Sequence, residues 1–137
     1  MLDRTTMTAQ DLGIQQWELD GLLAFCRAAD SGTLRHAKDG MWKNDLAFNY
    51  GFTALLTDCG TVCCVGAFVF FHRHGQDDSM RAHQYVHEAG KLVPIYFPSL
   101  GNPPKVKLND ISPVTAARYV RHFLATGEYD TDLLCDG

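Results

Sequence analysis

The stretch VCCVGAFVFF, residues 62–71, holds ten consecutive residues without a single charge or strongly polar side chain. It is apolar on every face, so whatever element it forms must be covered on all sides. A bilayer-spanning helix needs roughly 18 or more such residues, so this run is a core segment and not a membrane span. The rest of the chain must wrap around it. Periodicity alone does not separate a buried helix from a buried strand here. Asp58 or Thr61 can cap a start and Gly75 can end the element, so the reading is a helix over about 60–73, with a central strand as the alternative. Gly66 within it weakens a helix, which points to a second backbone passing close by.

A chain of 137 residues is the size of one domain, taken here as 1–137, and needs neither metal nor disulfide to bury a core. With 12 basic and 16 acidic residues the net charge is −4, and no two Lys or Arg residues are adjacent. That balance offers no electrostatic footprint for nucleic acid or an anionic membrane, so neither is expected as a partner. Five cysteines, two of them adjacent at 63 and 64, read as reduced thiols and not as a disulfide framework. The N-terminus lacks the pattern of a signal peptide, and the expected location is a cytoplasm.

Around the apolar run, helices dominate the expectation. Residues 1–13 are polar and are expected to be frayed or turn-like, with Gly13 as a break. Leu19, Leu22, Leu23, Cys26 and Ala29 trace one helical stripe that Gly32 terminates. Residues 33–57 have no clean period, although Phe48, Tyr50 and Phe52 alternate as a short strand would. Ala82, Tyr85, Val86 and Ala89 form a second stripe ending at Gly90. LVPIYFP carries Pro94 and Pro98, which suits an edge strand or extended run, and Val106 and Leu108 alternate with lysines. The clearest helix begins at Ser112 as N-cap with Pro113 in the first position. It buries Ala116, Ala117, Val120, Phe123 and Leu124, and it ends at Gly127. The expected fold is therefore mainly α, a small single-domain helical bundle, with a minor two-stranded β element as an option around 92–97 and 105–108.

Four segments occur in a fixed order: FNYG (48–51), DCGTVCCVG (58–66), YFP (96–98) and ISPVTAARYVRHFLATGE (111–128). Together they resemble a family of small uncharacterised bacterial and phage proteins. Its pattern runs F-N-M-G, C-G-T-x-x-C-x-x-G, a Phe-Pro segment, then I-T-P-x-x-A-A-x-x-I-x-x-F-L-x-x-G. This chain departs by Tyr50 for Met, Ser112 for Thr, the extra Cys64 and the long 67–95 stretch. The resemblance covers about residues 45–130. It implies a helical, phage- or prophage-associated protein, with Cys59, Gly60, Thr61, Cys63 and Gly66 as a structural signature, and it implies no reaction.

Two constellations could carry chemistry. If a helix opens at residue 60, the Cys59 thiol sits where backbone N–H groups stabilise a thiolate, an arrangement similar to cysteine hydrolases whose Cys opens a buried helix. A base could come from His72, His74, His83 or His87, oriented by Asn109 or Asp110. Against this, no local signature singles out one histidine, and Cys59 reads more simply as a small residue packed at a tight turn. The second constellation is metal: Cys59 with Cys63, and His83 with His87, each place two ligands at a helical spacing of four, as tetrahedral zinc could use. The plainer reading puts His83 and His87 on a solvated helix face. The expected function is therefore a non-enzymatic phage- or prophage-type protein, without a cofactor, that binds and inhibits a bacterial protein machine such as a defence system. A cysteine-dependent hydrolase or transferase using Cys59 is the alternative, and a zinc-stabilised module comes third.

Overall fold

The computed structural model describes residues 6–36, 45–48, 54–56, 60–75, 79–98, 106 and 108–135, with backbone alone described in the strands and at 79, 80, 83 and 109. Helix α1 (Ala9–Leu12) is a single turn, started by Thr8, whose hydroxyl accepts the Asp11 N–H at 3.1 Å, and stopped by Gly13 at φ 74°. It buries Leu12, and the Met7 N–H donates to the Leu124 carbonyl at 2.7 Å. Residues 6–13 thus take the turn-like of the two forms expected, broken at Gly13, and the N-cap with the buried Ala9 and Leu12 anchors the turn.

Helix α2 (Gln16–Ser31) follows the expected stripe except at Leu23, which is only half-buried, while Phe25 is buried in addition. Leu19, Leu22, Phe25, Cys26 and Ala29 are buried, and Gly32 ends the helix at φ 77°. Its N-terminus is a capping box in which the Glu18 carboxylate accepts the Gln15 N–H at 2.8 Å.

The apolar run divides between the two readings made for it. Residues Gly60–Cys63 form strand β4, Cys64 is extended at φ −84° and ψ −177°, and Val65–His74 form helix α3. Strand β4 lies inside a four-stranded sheet with β1 (Arg35–His36), β2 (Asp45–Phe48) and β3 (Ala54–Leu56), in the order β1-β2-β4-β3. β2 and β4 run parallel from Asp45↔Gly60 to Phe48↔Cys63, while β3 is antiparallel to β4. The helix expected over 60–73 therefore begins five residues late. An all-apolar sequence is compatible with either element, and pairing on both edges decides for strand at its start.

Helix α3 is buried on nearly every side, through Val65, Gly66, Ala67, Val69, Phe70 and Phe71, with its polar end at His72, Arg73 and His74. Helix α2 packs on it closely enough that a Cβ at Gly21 would lie 2.8 Å from Val69 Cγ1 and 3.1 Å from Val69 Cα. On the other side, α4 (Ser79–His87) buries Ala82 and Val86. At Gly66 an added Cβ would meet Val86 Cγ1 at 2.4 Å and the Tyr96 ring at 2.8 Å. The close neighbours there are side chains, where a second backbone was expected.

The optional β element is not formed. Gly90–Leu92 is a 3-10 turn leading into α5 (Val93–Tyr96), with Pro94 in the first turn. A helix start leaves its first N–H groups without intrahelical acceptors, so a proline costs nothing there. In the second run, Leu108–Asp110 is another 3-10 turn, and 105 and 107 lie outside the described residues.

Helix α6 (Pro113–Thr126) matches its expected form: the Ser112 hydroxyl accepts the Thr115 N–H at 3.2 Å, and Gly127 closes it at φ 77°. It packs along α2, where Arg121 pairs with Asp30 and donates to the Cys26 carbonyl at 3.4 Å. Helix α7 (Asp132–Cys135) returns over it and buries Leu134. The fold is mainly helical, and no helix among the described residues is long and apolar enough to cross a membrane.

Candidate functional site

Side chains from the start of α2, the end of α3 and the length of α4 meet in one cluster. Trp17 in the first turn of α2 lies 5.2 Å from the Tyr85 ring of α4 and 5.8 Å from the His74 ring of α3, measured between centroids. Phe70 closes the circuit, 4.5 Å from His74 and 5.8 Å from Tyr85. Phe70 and His74 are one helical turn apart, which is why a single helix can supply both. The Arg73 guanidinium sits over Trp17 at 5.9 Å, and Arg81 sits over Phe70 at 5.8 Å. Trp17 and Tyr85 are half-buried, while Arg73, His74 and Arg81 are exposed.

Two open grooves flank this aromatic ridge. One is lined by Trp17, Asp20, His72 and Arg73, and the other by Phe70, Arg81, Gln84, Tyr85 and Glu88.

Beneath the ridge lies a polar chain. The Tyr85 hydroxyl donates to Glu18 Oε2 at 2.5 Å, and the Tyr96 hydroxyl is 2.6 Å from that of Tyr85. Since Tyr85 gives its one proton to Glu18, Tyr96 is the donor in the second bond. Burial, reinforced by the Glu18 hydrogen bond, pushes the Tyr85 phenol well above its ordinary range. Burial and the neighbouring Tyr85 do the same to Tyr96. Both phenols are therefore neutral donors at physiological pH. Glu18, 6% exposed, accepts from the Gln15 backbone and from Tyr85, so one carboxylate caps α2 and holds α4 in place.

The thiols fall differently from expectation. Cys59 lies outside the described residues. Helix α3 starts at Val65, so the helix N-terminus argued for Cys59 belongs to Cys64, its N-cap. Burial pushes the Cys64 thiol up to about 11, with the N–H groups of Ala67 and Gly66 opposing it only in part. Cys26 is likewise pushed up to about 11 by burial, against the partial opposition of Arg121. Both are protonated at neutral pH and shielded from solvent, which is the behaviour of packing residues.

Of the proposed metal ligands, Cys63 lies at the end of strand β4, and Cys59 lies outside the described residues. His83 and His87 do share α4, where the exposed His87 ring stacks on Phe97 at 5.0 Å. Among the described residues, no group of three or more His, Cys, Asp or Glu side chains is gathered to hold a metal ion. Gly60, Thr61 and Cys63 form the backbone of β4, and Gly66, Ser112 and Pro113 hold structural positions in α3 and α6.

Sequence reading missed Glu18, Tyr96 and the part played by Trp17. The Gln15-x-x-Glu18 spacing of a capping box was the one local signal for Glu18. Nothing local announces that Tyr85 and Tyr96 meet it. No protein-family model, curated protein or solved structure matches this chain.

Proposed function

We propose that this chain is a small non-enzymatic interaction protein, and that the ridge of Trp17, His74 and Tyr85, backed by the buried Phe70, is the surface through which it binds another protein. The observation that carries this reading is the closed circuit of four aromatic rings drawn from three helices, with Arg73 and Arg81 laid over two of them. Trp, Tyr and Arg are the residues that most often dominate protein interfaces: Trp and Tyr combine large contact area with two side-chain torsions, and Arg presents a planar guanidinium with several donors. The ridge is held rigid from below by Glu18 and Tyr96, which lowers the ordering cost of binding.

The charges beside the ridge favour a protein over a polyanion. Each groove pairs one arginine with one carboxylate, Arg73 with Asp20 and Arg81 with Glu88. A nucleic-acid surface calls for a field of one sign. The finer reading is that the partner is a bacterial protein, met in the bacterial cytoplasm and inhibited there as a phage- or prophage-type product would inhibit a defence or regulatory machine. It rests on the resemblance of residues 45–130. The test is to capture proteins from a bacterial lysate with the tagged chain and with its Trp17→Ala variant, and to identify them by mass spectrometry. A species held by the first and lost by the second supports the ridge, and identical recoveries overturn it.

A further inference from the structure

We draw no further inference here: the strongest candidate, the open groove beside Trp17 where Asp20, His72 and Arg73 meet between α2 and the end of α3, belongs to the site already described, and nothing in the structure shows what covers it.

Discussion

The Tyr85 hydroxyl donates a 2.5 Å hydrogen bond to the carboxylate of Glu18, 67 residues earlier in the chain. That bond joins the first turn of α2 to the last turn of α4, and so holds Trp17 beside the Tyr85 ring. Tyr85→Phe leaves a buried carboxylate short of a donor and the Tyr96 hydroxyl without its acceptor, at an expected cost of about 1–3 kcal/mol. Tyr96→Phe keeps the Glu18 bond intact and should cost less, about 0.5–1.5 kcal/mol. Urea melts of the two variants check the order. A Tyr85→Phe protein as stable as the parent would mean the hydrogen-bonded chain is not formed in solution.

Gly66 and Gly32 test two different reasons for glycine. At Gly66 a methyl would collide with Val86 and Tyr96, so Gly66→Ala should destabilise by overpacking, on the order of 1–3 kcal/mol or more. At Gly32 nothing lies within 4 Å, and the cost of Gly32→Ala comes from φ 77° alone, about 1 kcal/mol. Equal losses in denaturant melts would contradict the close approach at Gly66.

Helix α6 offers the most local test. Ser112→Ala removes the acceptor for the Thr115 N–H and should cost roughly 0.5–2 kcal/mol. Leu124 is 1% exposed, and Leu124→Ala should cost about 2–5 kcal/mol. A neutral Leu124→Ala would show that the α6 face is misplaced.

That helix was also the most legible part of the sequence. Its start, stop and buried stripe are each set within a few residues of Ser112, Pro113 and Gly127, so no distant information is needed. The same holds for α2 and its end at Gly32. The run at 62–71 was opaque for the opposite reason: with every face apolar, periodicity has nothing to report, and pairing of β4 with β2 and β3 chose the strand. Pro94 misled because a proline suits an edge strand and a helix start equally well. The ridge was legible only residue by residue. Trp17, Phe70, His74 and Tyr85 span 69 positions from first to last, and only the packing of α2, α3 and α4 unites them.

The thiols predict a pH dependence with a definite sign. Cys26 and Cys64 titrate near 11 in the folded chain against an ordinary value of 9.0, so above pH 9 the unfolded state loses these protons first. Stability from this source is complete below about pH 9 and falls as pH rises towards 11, since the folded state then holds more protons than the unfolded one. Cys26→Ala/Cys64→Ala should flatten that alkaline decline, as read from melts between pH 8 and 11. At neutral pH, iodoacetamide should modify both cysteines slowly in the native protein, and the half-buried Cys135 sooner. Cys59 is read as a packing residue, so rapid and selective labelling at Cys59 would instead make the hydrolase the leading account.

The central claim is that the Trp17 ridge binds a protein partner. Its most direct measurement is quantitative capture from bacterial lysate by the parent chain, Trp17→Ala, Arg73→Ala and a control, Arg27→Ala, exposed on α2. Thermal melts of all four establish that each is folded. The account predicts one partner retained by the parent and the control but reduced at least about 30-fold by Trp17→Ala, the loss of an interface hot spot worth 2 kcal/mol or more. A partner held equally by all four folded proteins, or no partner held by the parent, would contradict it.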